Sequence, residues 1–154
     1  MTALILLENY QLSDYITSKY PINYENEGKV AYIPENTEIN IENLLKLLLV
    51  YSANDAAYIS ALAVSENLDD FLILMNKKAK TLKMVNTNYT NPDGIDNSNH
   101  YTTLNDLLKL SIEVSKNIEI LSIVSKAKFV YENNEIESTY KSTNLLIEDG
   151  FIGL

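Results

Sequence analysis

The chain has 154 residues, of which 46% are hydrophobic and 21% charged, and its formal net charge is −9. That composition is typical of one globular domain with a sizeable core. All 12 cationic residues are Lys, and so acidic a chain without Arg is a poor candidate for binding nucleic acid or an anionic membrane surface. Because Cys is absent, disulfides, cysteine–zinc sites and thiol nucleophiles are excluded.

Sparse Gly and Pro, four and three residues, predict a chain in which helices dominate. We expect a first helix over about residues 2–19, which Pro21 helps to end. Residues 28–34 are predicted to form a short strand, because β-forming side chains stand there beside turn residues. Residues 41–51 are apolar nearly all round, which is typical of a fully buried helix, and residues 52–54 interrupt it.

The middle of the chain continues with helical patterns. An Ala-rich helix is predicted over residues 55–64 and an amphipathic helix over residues 68–82. Residues 86–101 form a polar loop with Pro-Asp-Gly turn chemistry. Thr103 is then predicted to cap a helix over residues 104–115.

Residues 118–154 mix a short helical turn with β-like stretches around residues 128–131 and 137–141. Helices packed with a small antiparallel sheet make an α+β fold, mostly helical, rather than an alternating βαβ pattern. No stretch reaches the roughly 20 apolar residues that a membrane-spanning helix needs. The start of the chain also lacks the basic region and cleavage site of a signal peptide.

Motifs for several common chemistries are missing from the sequence. His100 is the single histidine, and no HxxH, HExxH or DxDxDG spacing indicates a metal site. No GxSxG motif presents a nucleophilic serine, and no GxGxxG or GxxxxGK[ST] motif indicates a nucleotide site. Two carboxylate pairs, Asp69 with Asp70 and Glu148 with Asp149, stand in polar settings typical of solvated residues.

Ser52 and Asn54 stand two residues apart where the buried helix is predicted to break. A short connection between two buried helices must satisfy its backbone groups internally or face a cavity, so the hydroxyl and the amide could point into one cleft. The same residues could instead cap the next helix, which on spacing alone is the commoner outcome. The Ser-x-Asn spacing also occurs at residues 65–67, 115–117 and 142–144, so the tripeptide does not decide between these interpretations.

Several further blocks of residues, in a fixed order and at characteristic spacings, carry more information than this tripeptide. They are Leu44-Leu45, residues 49–57, Phe71, residues 75–80, residues 91–95, residues 100–103 and Asp106-Leu107. Together these blocks closely resemble the serine-type D-alanyl-D-alanine carboxypeptidases, which are low-molecular-weight penicillin-binding proteins. The resemblance runs along nearly the whole chain.

The resemblance implies a β-lactamase/transpeptidase-like fold, of which this chain holds a helical subdomain and an incomplete antiparallel sheet. It also implies a site built by three motifs: S-x-x-K with the nucleophilic Ser and its activating Lys, then S-x-N, then K-T-G on a strand. Only S-x-N stands here where the family has it. Residues 1–8 resemble the family segment just after S-x-x-K, and residues 149–154 resemble the segment just before K-T-G. We therefore expect residues 1–154 to be a partial catalytic domain, truncated so that the first and third motifs fall outside it.

Two further details bear on the family motifs. The S-x-x-K matches at residues 125–128 and 138–141 come after S-x-N and lie in β-like sequence, so we interpret them as chance. The family usually has Gly where Lys83 stands. A left-handed conformation at Lys83 would cost on the order of 1 kcal/mol relative to Gly.

The implied activity is hydrolysis of the C-terminal D-Ala from peptidoglycan stem peptides that end in D-Ala-D-Ala, through an acyl-enzyme on Ser. Within this chain Ser52 is the expected proton relay and Asn54 the expected holder of the substrate carbonyl. His100 is expected to anchor its loop and Asp106 to cap its helix. The nucleophile and general base are absent, so the isolated chain is expected to be inactive.

The resemblance implies no cofactor and no metal, and the parent protein is expected to bind β-lactams and to act at the outer face of the cytoplasmic membrane, at the cell wall. Two other functions stay open from the sequence. One is a non-catalytic binding or assembly module, and the other is a hydrolase related to serine β-lactamases, since S-x-N is shared across that superfamily. The blocks at residues 75–80 and 91–103 favour the carboxypeptidase. Nothing in the sequence indicates the oligomeric state.

Overall fold

Helices dominate the fold, as the sparse Gly and Pro predict, and two short antiparallel sheets accompany them, so the α+β class is confirmed. The structure, a computed structural model, describes residues 1–21, 25, 28–132 and 137–147. In this part of the chain the α-helices are α1 (Thr2–Leu7), α2 (Ile41–Lys46), α3 (Asn54–Val64), α4 (Leu68–Thr81), α5 (Leu104–Val114) and α6 (Ile118–Val124). The strands are β1 (Tyr15–Thr17), β2 (Glu38–Asn40), β3 (Lys128–Glu132) and β4 (Glu137–Lys141). Across the same residues, no helix is long and apolar enough to cross a membrane.

Most of the predicted helices are present with nearly the predicted bounds. The helix predicted over residues 41–51 is confirmed as α2 followed by a π-helical turn, Leu47–Tyr51, although it is not buried all round, because Glu42 and Lys46 are half-buried. The helices predicted over residues 55–64, 68–82 and 104–115 are confirmed as α3, α4 and α5. Thr103 caps α5 as predicted, because its Oγ1 accepts a hydrogen bond from the N–H of Asp106.

The first predicted helix, residues 2–19, is wrong beyond Leu7, where α1 ends. Polar side chains end it. The Asn9 amide donates to the carbonyl of Ile5 (2.8 Å), and the Asp14 carboxylate accepts from the N–H of Gln11 (2.8 Å), which closes a turn. The chain then forms β1, which pairs antiparallel with β2, a strand from a segment more than 20 residues away that the helical periodicity could not indicate.

The strand predicted over residues 28–34 is also wrong, because a side chain rather than a neighbouring strand satisfies its backbone. The Asp55 carboxylate, at the start of α3, accepts from the N–H of Ala31 (3.0 Å) and from the N–H of Ile33 (3.1 Å). Between them, Tyr32 has a φ of 57°, which is left-handed and incompatible with a strand. Asp55 itself is 0% exposed, so this buried carboxylate joins α3 to residues 28–34 by hydrogen bonds.

The core lies around α2 and its π-helical turn. Leu44, Leu45 and Leu47 are fully buried there, in a cluster that also takes side chains from α1, α3, α6 and the β3–β4 hairpin. A second, smaller cluster joins α1, α3 and α4 through Ile5 and Phe71. Because the leucines of α2 and of the π-helical turn are buried against several elements, the break at the end of the turn is held from several directions.

Asp106 joins the polar loop to α5. Its buried carboxylate accepts from the N–H of Asn86 (2.8 Å), the hydroxyl of Thr87 (3.0 Å) and the ammonium of Lys109 (2.7 Å). Thr103 is therefore the cap of α5, and the Asp106 side chain ties the helix to the loop. Lys83 takes the left-handed conformation (φ 59°) that the sequence suggested.

The polar loop predicted over residues 86–101 is confirmed, and Asn88 and Tyr101 close its ends by an isolated antiparallel bridge. His100 anchors the loop as predicted: its Nδ1 lies 3.4 Å from the backbone N of Thr90 and its ring packs edge-on against Tyr89. Two of the sequence observations, the Glu148–Asp149 carboxylate pair and the stretch over residues 149–154, lie outside the described residues.

Replacing Asp55 with Ala should lower the free energy of unfolding by about 2–4 kcal/mol, because three backbone N–H groups, those of Ala31, Ile33 and Ala56, lose an acceptor at a buried position. Urea denaturation followed by circular dichroism measures the change. Asp69→Ala is the matched control: this Asp is exposed in the first turn of α4 and should cost about 0.5 kcal/mol. Equal losses for the two variants would contradict the role given to Asp55.

Acid should remove the stabilisation that Asp106 contributes. The Lys109 ammonium, with help from the Asn86 N–H and the Thr87 hydroxyl and against the effect of burial, lowers the pKa of Asp106. Since the folded-state pKa lies below the unfolded one, this stabilisation is present above about pH 4 and is lost as the pH falls through the folded-state pKa. Asp106→Asn should therefore be less stable than wild type at pH 7 and lose less on acidification. Urea midpoints between pH 7 and 3 test this, and parallel curves would contradict it.

Candidate functional site

Ser52 sits at the break between the π-helical turn and α3. The turn ends with two N–H groups, of Ser52 and of Ala53, donating to the carbonyl of Leu47, the second at 2.9 Å. Ser52 then takes the left-handed conformation, with φ 65° and ψ 44°, which costs a non-glycine residue roughly 1–3 kcal/mol. π-Helical turns within helices are often found at functional sites, and here the turn ends at an exposed serine.

Asn54 is the first residue of α3, and its side chain does not have the capping role that spacing alone favours. The N-cap of α3 is Ala53, whose methyl group cannot accept a hydrogen bond. The other three Ser-x-Asn asparagines behave differently. Asn67 and Asn117 cap α4 and α6 with their side chains, and Asn144 accepts from the N–H of Leu146 (3.1 Å). Among the four, the capping interpretation therefore fails for Asn54.

The segment over residues 28–33 lies directly against this break. The N–H of Asn54 donates to the carbonyl of Lys29 (2.7 Å). The Asp55 carboxylate accepts from the N–H groups of Ala31 and Ile33 in the same segment. The Lys29 ammonium lies 3.9 Å from the centre of the Tyr51 ring, a cation–π contact. The Lys29 ammonium is thus held against Tyr51, the residue before Ser52.

Tyr140, from strand β4, closes the other side. Its ring packs edge-on against Tyr51 (4.6 Å between ring centres) and stacks on Phe129 of β3 (5.4 Å). Its hydroxyl donates to the carbonyl of Ala31 (3.3 Å). Burial, with smaller effects of the nearby Tyr51 and Asp55, raises the pKa of Tyr140, so the phenol is neutral and remains a donor at neutral pH. A bond from the N–H of Thr143 to the carbonyl of Val50 (3.1 Å) fastens the chain after β4 to the π-turn.

Ser52 and Asn54 lie two residues apart at this break, and the other sequence candidates make their contacts elsewhere. His100 and Asp106 make their contacts within the polar loop and at α5. Neither S-x-x-K match has helical geometry. Residues 125–128 run from the end of α6 into β3, and Ser138 and Lys141 lie three residues apart in β4, on opposite faces. In the described part of the chain, no three His, Asp or Glu side chains gather as metal ligands would.

Sequence reasoning missed three residues that shape this site: Lys29, Asp55 and Tyr140. Asp55 had a local signal, since a charged residue entering an Ala-rich buried helix needs partners. Lys29 and Tyr140 had none, because each reaches the break from a distant part of the chain. What the arrangement offers chemically is a hydroxyl, which both donates and accepts a proton, beside a primary amide that carries both donors and an acceptor.

Comparison with known proteins points in the same direction. A family model described as D-alanyl-D-alanine carboxypeptidase matches residues 1–153. The chain is 28% identical to the D-alanyl-D-alanine carboxypeptidase DacF of Bacillus subtilis (strain 168), over 96% of this chain and 39% of that protein. It is also 28% identical to the D-alanyl-D-alanine carboxypeptidase of Streptomyces sp. (strain K15), over 92% of this chain and 51% of that protein. The chain thus spans between about two fifths and half of these relatives.

Solved structures share the fold along the whole chain. The Streptomyces K15 DD-transpeptidase superposes with a TM-score of 0.87 at 26% identity, covering 99% of this chain and 66% of that one. Penicillin-binding protein D2 from Listeria monocytogenes, in its cefotaxime-bound form, gives a TM-score of 0.80 at 25% identity, covering 99% of this chain and 64% of that one. The penicillin-binding-protein fold that the sequence blocks imply is therefore confirmed. With a family match over residues 1–153, the chain belongs to the D-alanyl-D-alanine carboxypeptidase family.

Proposed function

We propose that this chain forms part of the catalytic domain of a serine-type D-alanyl-D-alanine carboxypeptidase, which removes the terminal D-Ala from peptidoglycan stem peptides through an acyl-enzyme. One observation carries the proposal beyond family membership. Of the four Ser-x-Asn asparagines, all within the described residues, Asn54 is the one that begins a helix instead of preceding it as a cap or closing a turn, because the N-cap of α3 is Ala53. It stands beside an exposed hydroxyl held in a strained conformation, and strain of that kind is concentrated at functional sites.

The two side chains have separate roles in this proposal. The Asn54 amide donates a hydrogen bond to a peptide carbonyl of the substrate and so holds the scissile bond in place. The Ser52 hydroxyl accepts a proton from one group and donates its own to another, which suits it to carry a proton to the departing D-Ala nitrogen. The Lys29 ammonium, held over the Tyr51 ring, adds positive charge beside the residue that precedes Ser52.

The reaction also needs a serine that attacks the carbonyl carbon of the penultimate D-Ala. Its hydroxyl is a weak nucleophile at neutral pH, so an amine must take its proton. The C–N bond to the terminal D-Ala then breaks, and water later releases the acyl group. We place this nucleophile and its base outside residues 1–154, because the two S-x-x-K matches lack the helical turn that would bring Ser and Lys together.

The proposed activity also indicates the ligands and the location of the complete protein. Substrates are stem peptides that end in D-Ala-D-Ala, and β-lactams, one of which is bound in the Listeria structure, are expected ligands of the complete protein. We place the complete protein at the cell wall, outside the cytoplasmic membrane, where these peptides are found. The chemistry requires no cofactor.

Peptide binding tests the role of Asn54. A diacyl-lysyl-D-Ala-D-Ala peptide added to the ¹⁵N-labelled chain should shift signals of residues around Ser52 and Asn54, and Asn54→Ala should weaken binding about tenfold, the worth of one lost hydrogen bond. Asn67→Ala is the matched control, since it truncates the asparagine of another Ser-x-Asn and removes the α4 cap. It should lower stability by about 1 kcal/mol without changing affinity. Equal affinities of wild type and Asn54→Ala would contradict the assignment.

Covalent labelling by fluorescent penicillin tests the catalytic assignment. The chain alone should not be labelled. Grafted in place of the matching segment of the Bacillus subtilis relative, it should be labelled, and Ser52→Ala should slow labelling about 10²–10⁴-fold, as loss of a proton-transfer group does. Ser65→Ala, the same substitution in another Ser-x-Asn, is the control and should leave the rate unchanged.

Two results would count against this assignment. Stoichiometric labelling of the isolated chain would show that the nucleophile lies within residues 1–154. Equal labelling rates for the Ser52→Ala and Ser65→Ala grafts would show that the Ser52 hydroxyl carries no proton.

A further inference from the structure

Gly28 lies in contact with the side chain of Asn54, in a conformation that favours glycine and at a distance that leaves no room for a Cβ atom. Its φ is +69°, in the left-handed region. A Cβ atom built on Gly28 would lie 2.6 Å from Nδ2 of Asn54 and 3.8 Å from its Cγ. The first distance is far below van der Waals contact, so any other residue at position 28 requires something to move.

The backbones on both sides of this contact are held, so the Asn54 amide is the part that a larger residue would move. The carbonyl of Lys29, next to Gly28, accepts from the N–H of Asn54 (2.7 Å). One residue further into α3, the Asp55 carboxylate accepts from Ala31 and Ile33 of the same segment. These bonds tie the segment to the first turn of α3, and the atom nearest to the added Cβ lies at the end of the Asn54 side chain.

We propose that Gly28 is a positioning residue for the carbonyl-holding amide: because it has no side chain, the Asn54 amide can occupy its place beside the Gly28 backbone, and a larger residue displaces it. The inference rests on the proposed function of Asn54. It assigns to the segment before α2 a part in substrate binding that neither the S-x-N motif nor any other motif of the chain contains. Gly28 itself takes no part in the chemical step.

A second glycine supplies the control. Gly94, in the polar loop, has a φ of +86°, and a Cβ atom there would meet nothing within 4 Å. Gly28→Ala and Gly94→Ala therefore share the backbone strain of an Ala at positive φ, whereas only the first creates a collision. The difference between the two variants isolates the contact with Asn54.

The first readout is the side-chain amide signal of Asn54 in a ¹⁵N–¹H spectrum of the full chain, assigned as the side-chain signal that Asn54→Ala removes. Gly28→Ala should move this signal, and Gly94→Ala should leave it in place. The second readout is affinity for the D-Ala-D-Ala peptide, which should fall about tenfold in Gly28→Ala, as for removal of the amide, and stay within about twofold in Gly94→Ala. An unmoved Asn54 signal with unchanged affinity in Gly28→Ala would overturn the proposal.

The double variant Gly28→Ala/Asn54→Ala keeps the test decisive even where Gly28→Ala alone does not fold. Removing the amide removes the collision, so the double variant should fold. Its Tm should lie below that of Asn54→Ala by the same amount as the Tm of Gly94→Ala lies below that of wild type. A double variant that is as unstable as Gly28→Ala would overturn the proposal. If instead Gly28→Ala moves the amide signal while Asn54→Ala binds peptide as tightly as wild type, the positioning contact stands and the proposed function of Asn54 fails.

Discussion

The Asp55 carboxylate, enclosed at the start of α3, is the contact on which the candidate site depends. It accepts hydrogen bonds from two backbone N–H groups of a segment that would otherwise need a partner strand. A buried carboxylate is costly unless such donors surround it, so the helix and the segment stabilise each other. Residues 28–33, which have no regular secondary structure, are therefore held in place beside Ser52 and Asn54.

The conformation of the break after the π-helical turn decides which side chains lie next to this segment. The π-helical turn and the left-handed Ser52 direct the chain out of the leucine core, so that a hydroxyl becomes exposed two residues before an amide at the first turn of α3. Tyr140 and Lys29 then enclose Tyr51 from two sides. A strained backbone held by many neighbours is a pre-organised arrangement, and catalysis by positioning needs such rigidity.

The same tripeptide spacing occurs four times in this chain, and the structure shows why only one occurrence is a candidate site. Asn67 and Asn117 precede helices that begin with a half-buried and an exposed residue, Leu68 and Ile118, and each asparagine side chain accepts from a free N–H of the first turn. At α3 the Lys29 carbonyl already accepts from the N–H of Asn54, and Ala53 occupies the capping position. At this helix, the carbonyl of a distant residue accepts from the N–H of Asn54 and the Asp55 carboxylate accepts from the N–H of Ala56 (3.0 Å), so no side chain at the N-cap position is involved.

Local patterns in the sequence determined the class of the fold, four of the helices, the capping by Thr103, the polar loop and the family, because hydrophobic periodicity, caps and ordered motif blocks act over a few residues. They did not determine where α1 ends, that residues 28–34 form no strand, or which Ser-x-Asn has a functional geometry. Those features depend on contacts between distant segments: Ile16 pairs with Ile39, Asp55 binds Ala31 and Ile33, and Gly28 adjoins Asn54. Only the folded chain brings such groups together, since hydrogen bonds and collisions act over a few ångströms in space and not along the sequence.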